Sequence, residues 1–151
     1  IKKSLIYFSK LFNLKIVVAL HPSNKMGNHF FSEFEITSKR TFDLIPDCEI
    51  VICTHSSLIS SAVIFKKKII SLNSKNMGDY ISDLTERYRK ALNLFSVNID
   101  DNININTEET LEKMNNSLKS YDEFIKKRLN PNGEDPSNKK IVKTIKNIFF
   151  D

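Results

Sequence analysis

Asp43–Leu72, DLIPDCEIVICTHSSLISSAVIFKKKIISL, carries the pattern that decides the fold. Glu49–Cys53 (EIVIC) is an apolar, β-branched run of strand length, and Lys68–Leu72 (KIISL) is a second. Between them the polar tetrad Thr54-His55-Ser56-Ser57 opens a stretch, Ser57–Phe65, that reads as a helix. Apolar strands separated by a helix indicate parallel pairing in a sheet covered on both faces.

The alternation extends outward on both sides. Upstream, Ile1–Phe12 places Leu5, Phe8, Leu11 and Phe12 at helical spacing. Lys15–Leu20 (KIVVAL) is a short strand stopped by His21-Pro22. Asn24–Ser32 reads as a loop around Gly27, Phe34–Ile36 as a short strand, and Lys39–Ile45 as one or two helical turns ended by Pro46. Downstream, Asp79–Leu92 is helical and Phe95–Ile99 fits an edge strand, followed by an Asn-rich loop, Asn98–Asn106. Thr107 is expected to cap a helix with Glu108 and Glu109 in its first turn, running to about Leu129. Asn130–Pro136 reads as a turn and Pro136–Phe149 as a final amphipathic helix. The expectation is a Rossmann-like three-layer α/β domain with a mostly parallel sheet, formed by residues 1–151 as one domain.

Bulk properties are compatible with that reading. A chain of 151 residues, 40% hydrophobic and 27% charged, can build one core. It opens on Ile1, inside a helical pattern, which suggests a fragment whose N-terminal partner has been removed. The net charge of +5 comes mostly from Lys, with only four Arg. A basic face could meet nucleic acid, an anionic membrane surface or an anionic small substrate, or could simply reflect abundant Lys on solvated faces. No zinc-finger spacing or aromatic-interleaved basic motif supports nucleic acid. Lys66-Lys67-Lys68 reads as a solvated turn. Cys48 and Cys53 form neither a disulfide framework nor a CxxC; Cys53 reads as a buried small hydrophobe, and a reducing cytoplasm is the simplest compartment. No apolar stretch reaches the roughly 20 residues of a membrane span.

In open α/β sheets, ligands bind outside the carboxyl ends of the strands. Two motifs are expected there. Thr54-His55-Ser56-Ser57 follows EIVIC and opens a helix, whose free N–H groups and partial positive charge suit a phosphate. The plainer alternative is that Ser56 or Ser57 only caps that helix. His21, after KIVVAL, is the candidate catalytic residue: its imidazole can donate to a phosphate oxygen and, when protonated, offset a leaving group's charge, with Pro22 aiming it. If the two strands lie close in the sheet, both motifs face one crevice. No metal-binding pattern involves the three histidines, and neither GxGxxG nor GxxxxGK[ST] is present.

HP after one strand and a Ser-Ser pair after a later one resemble bacterial glycosyltransferases of the GT-B fold, above all the sialyltransferases and polysialyltransferases. Related patterns occur in capsule and lipopolysaccharide enzymes and in CDP-glycerol glycerophosphotransferases. Asp43–Leu72 resembles the family's succession of helix, strand, SS turn, helix and strand, and the similarity covers about Lys15 to Leu72. The resemblance implies one half of a GT-B fold. It implies that His21 (with Pro22), Ser56 and Ser57 hold the phosphate of a cytidine nucleotide sugar, while Thr54 and His55 line the pocket near the nucleotide. It implies a CMP-activated sugar such as sialic acid, no metal or other cofactor, and a saccharide acceptor bound mainly by an N-terminal domain that also brings the catalytic base. The expected setting is surface-polysaccharide synthesis in the cytoplasm, with peripheral inner-membrane contact left open and no nucleic-acid partner. The sequence departs from the family where a Glu one turn past the Ser pair is replaced by Ser60 and Ser61, and where Gly-Lys-Pro is replaced by Lys66-Lys67-Lys68. A CDP-glycerol-using transferase, an epimerase of the same architecture and a non-catalytic α/β interaction domain are the alternatives.

Overall fold

The computed structural model describes residues 1–20, 28–54 and 58–129. Its centre is β3 (Ile50–Cys53), β4 (Lys68–Asn73) and β5 (Phe95–Asn98), linked by α3 (Leu58–Ile64) and α4 (Asp79–Leu92). The strands lie in the order β3-β4-β5, all parallel, with Ile52 beside Ile70 and Ile70 beside Phe95. β1 (Val17–Ala19) and β2 (Glu35–Thr37) form a second, two-stranded parallel sheet. The expected single sheet is therefore divided among the described residues: no ladder joins β1 to β3.

Side-chain alternation along the strands builds three layers. Ile50, Ile52, Ile70, Leu72, Phe95 and Val97 share one face and pack with Phe8 of α1 (Lys2–Phe12) and Met114 of α5 (Thr107–Leu118). Val51, Cys53 and Ile69 belong to the other face, with Ile59, Ala62 and Val63 of α3, Leu92 of α4, and Tyr121 and Phe124 of α6 (Tyr121–Phe124). Burial on both faces explains why β4 reads as a nearly unbroken apolar run. The Rossmann-like α/β class expected from the sequence is the one observed.

Helix ends follow local chemistry. α1 and α4 stop at Asn13 and Asn93, both left-handed, and their closing amides reach back to Ser9 and Arg89 carbonyls. Asparagine is among the few side chains that tolerate this conformation. Two expectations are corrected. The cap of α5 is Asn106, whose side chain accepts from the Glu109 amide, and Thr107 is already helical. That helix also stops at Leu118: the chain turns at Lys119–Ser120, and α6 gives way to a π-helical turn, Ile125–Leu129. Pro46 lies inside a 3-10 turn, Ile45–Asp47, that follows α2 (Thr41–Leu44). The Asn130–Pro136 turn and the Pro136–Phe149 helix lie outside the described residues.

Candidate functional site

Parallel pairing brings the carboxyl ends of β3, β4 and β5 to one edge of the sheet, the position where this class of fold binds ligands. Of the expected site residues, Thr54 is described: it sits half-buried at a bend directly after β3. His21, Pro22, His55, Ser56 and Ser57 lie outside the described residues.

Cys53, one residue before Thr54, keeps some exposure as a residue, but its side chain packs against the α3/α4/α6 core. Burial pushes the thiol up to about 12, so it stays protonated and acts as a small hydrophobe at the floor of this edge.

The sequence reading missed what lies beside Thr54. Cys53 is level with Ser71, and β4 runs two residues further, to Asn73. Asn73 is in turn level with Asn98 at the end of β5. From these two positions a hydrogen-bond network ties the β4–α4 loop to the β5–α5 loop. Ser74 Oγ donates to both Asp100 carboxylate oxygens, at 3.0 and 2.9 Å. The Lys75 amide donates to Asp100 Oδ2 at 2.6 Å, and the Asn76 amide donates to Ser74 Oγ at 3.1 Å. Asn73 Oδ1 accepts from the Ser74 amide at 2.9 Å, and Asn98 Oδ1 from the Asp100 amide at 3.0 Å. The Ile99 amide donates to the Asn73 carbonyl at 2.9 Å, which locks the strand ends together. The usable signal was positional: Asn73-Ser74 follows KIISL as directly as Thr54 follows EIVIC, and Asp100 stands just past the fifth strand.

At this polar rim Lys75 stands 4.0 Å from Asp101. A groove of about 300 Å³ continues from it along β5, lined among others by Ser96, Asn98, Asn102, Ile103 and Thr110. Across it, the Tyr7 hydroxyl receives the Ile105 amide at 3.0 Å and so holds the loop before α5 against α1.

At the opposite edge, Lys66 is left-handed and pairs with Asp122 at 3.0 Å, while Lys67 Nζ donates to the Pro46 carbonyl at 2.6 Å. Of the expected solvated turn Lys66-Lys67-Lys68, Lys66 is exposed, but Lys67 is half-buried and Lys68 already opens β4, and the first two fasten α6 and the turn before β3. Among the described residues no group of three or more His, Cys, Asp or Glu could hold a metal ion, and no helix is long and apolar enough to cross a membrane. Comparison with family models, curated proteins and solved structures finds no match.

Proposed function

We propose that this chain binds a nucleotide sugar, with a CMP-activated sugar favoured, as the donor domain of a metal-independent glycosyltransferase that builds surface polysaccharide in the cytoplasm. The observation that supports this reading best is the polar carboxyl edge of the β3-β4-β5 sheet: Thr54 directly follows β3, and Asn73 and Asn98 end β4 and β5, three neighbouring parallel strands that are otherwise mostly apolar. Such an edge is where a doubly wound domain presents groups to a nucleotide.

In this reading the tetrad Thr54–Ser57 takes the donor phosphate at the entrance to α3, and His21 adds a second donor. The bond that breaks joins the sugar's anomeric carbon to a phosphate oxygen. The domain's task is to stabilise the charge that builds on the departing nucleotide. The acceptor and the base that deprotonates it belong to a second domain, so this chain alone turns over no substrate.

Titration of the ¹⁵N-labelled chain with CMP, CDP, UDP and GDP tests the proposal. Shifts centred on Thr54 and its neighbours are expected. If no nucleotide perturbs that region, the transferase reading is wrong. Ser56→Ala with Ser57→Ala separates it from a non-catalytic domain: a cap alone costs about 0.5–2 kcal/mol of stability and no affinity, whereas a phosphate grip loses nucleotide binding.

A further inference from the structure

α3 differs from the longer helices that cover the sheet. Its residues, LISSAVI, include no charge, whereas α1, α4 and α5 all expose charged side chains. A helix whose outer side faces only water normally carries charge there. Ile59, Ala62 and Val63 point into the core, which leaves Ser60, Ser61 and Ile64 on the outer side of α3. Ile64 is 54% exposed.

At the end of α3 this uncharged side widens into an apolar patch. Phe65 follows Ile64, and its ring meets that of Phe42 on α2 edge-on, with centroids 5.6 Å apart. Phe42 is itself 52% exposed. Charged groups lie around the patch in both signs. Arg40 donates to both Asp43 carboxylate oxygens, at 2.9 and 3.1 Å, and Lys66 pairs with Asp122 at 3.0 Å. Lys67 and Asp47 both lie close enough to Cys48 to act on its thiol. These three cations and three anions cancel, although the whole chain carries +5.

An aromatic and aliphatic centre within a polar rim, with charge kept out of the centre, is the anatomy of a protein–protein interface. The charge balance selects the partner. A face for an anionic bilayer or a nucleic acid carries an excess of Lys and Arg, and the six rim charges show none. A rim with both signs in equal number is self-complementary: after a half-turn, cations of one copy can meet anions of the other. Two chains of net charge +5 repel each other over most approaches, and least at a face whose own charges cancel.

We propose that a second copy of this chain docks on this face, α3 against α3 about a twofold axis. Ser60 and Ser61 are small enough to let the two helices approach, and Phe42, Ile64 and Phe65 of each copy fill the centre. The patch lies where α3 runs toward the amino end of β4, so the carboxyl edge stays open in the dimer.

Sedimentation equilibrium of the full chain, over an about hundredfold range of concentration, reads the association by mass action. Wild type is expected to show a reversible monomer–dimer equilibrium. Ile64→Asp puts a charge into the centre, and the twofold axis repeats it, so the dimer should weaken about a hundredfold. Phe42→Ser should weaken it about tenfold. Both side chains are more than half exposed, and either variant suffices if the other does not fold. Ile6→Asp, on α1 over the other face of the sheet, should leave association unchanged. A wild-type chain that stays monomeric throughout overturns the inference. So does a dimer that survives both Ile64→Asp and Phe42→Ser, or one that Ile6→Asp weakens as much. Wild-type monomer that binds phosphatidylglycerol vesicles, and loses this in Ile64→Asp, gives the face to a membrane. Protection of Phe42 from hydroxyl-radical labelling in a monomer gives it to residues 130–151 of the same chain. Either of these results also overturns the dimer.

Discussion

The two ends of β3 are built differently. At its amino end, donors are spent on backbone carbonyls: Lys67 Nζ on Pro46, the Tyr121 hydroxyl on Lys67 at 3.0 Å, and the Cys48 thiol on Ile45 at 3.2 Å. At the carboxyl edge, side-chain oxygens of Asn73, Asn98 and Asp100 accept backbone N–H groups and so fasten the loops that follow β4 and β5. One end uses its polar groups to fasten α6 and the turn before β3, and the other uses them to tie one loop to the next. The chain's two cysteines mark these ends, and they give the largest expected contrast. Burial raises both thiols, but Cys53 reaches about 12 from an ordinary 9.0, whereas Cys48 is raised less completely and feels the opposing pull of Lys67. Only the thiolate reacts, so Cys53 should be alkylated at pH 8 at least about a hundredfold more slowly than in the unfolded chain. Cys48 should label first, and mass spectrometry of partly modified protein reads the order. Because Cys53 holds its proton in the fold, stability should fall as pH rises above about 9, where the unfolded thiol ionises. Equal labelling of the two cysteines in the native chain would show that Cys53 is not packed as described.

Closure at the amino end predicts a large stability effect there. Tyr121 is fully buried, packs within the α3/α4 core, and donates to the Lys67 carbonyl. Tyr121→Ala should cost about 3–5 kcal/mol in urea unfolding. Tyr121→Phe keeps the ring and removes the bond, leaving the carbonyl without this donor, so it should cost about 1–2 kcal/mol. If both variants unfold at the wild-type midpoint, the amino edge is not held by this contact.

How much of this could be read from sequence depends on whether the signal is local. α4 matches the expected Asp79–Leu92 because its apolar spacing and the αL-competent Asn93 are both short-range. β3 and β4 were legible because burial on both faces leaves an unbroken apolar run. The cap of α5 was misplaced by one residue because Asn106 and Thr107 are both good caps, and only backbone geometry chooses between them. The stop at Leu118 is set by α6 folding back to bury Tyr121 and Phe124, a tertiary demand with no local marker. The Asn73–Asn98 pairing is invisible for a related reason: the residues lie 25 positions apart and meet only through the β4–β5 register. Of the expected site, Thr54 falls at the strand end predicted for it, while the other five positions lie outside the described residues.

The carboxyl edge should be less important to stability than the amino edge. Ser74 and Asp100 carry the network there, but Asp100 is exposed and water competes for its oxygens. Ser74→Ala should cost about 0.5–1.5 kcal/mol, no more than Tyr121→Phe. Its clearer mark should be local: faster amide exchange at Lys75 and Asn76, both held through Ser74 and Asp100. A Ser74→Ala penalty matching Tyr121→Ala would erase the distinction between the two ends.

An ion pair at neither end sets the background for that comparison. Glu86, in the middle of α4, receives Arg89 Nε at 2.5 Å and Nη2 at 2.6 Å, and Lys90 stands 3.4 Å away. These hydrogen bonds, with the charges of Arg89 and Lys90 behind them, hold its carboxyl at about 2, below its ordinary 4.5. A depressed carboxyl stabilises the fold fully above the unfolded value near 4.5 and loses that contribution as pH falls toward 2. The pair is 39% and 38% exposed, however, so water and salt screen most of it. Glu86→Gln should therefore cost only about 0.3–0.5 kcal/mol at pH 7. The difference between variant and wild type should vanish near pH 2 and shrink in 1 M salt, as read from urea midpoints at each condition. A larger, salt-resistant penalty would mean that this helix face is covered and desolvated, and the screening that makes it a background would not apply.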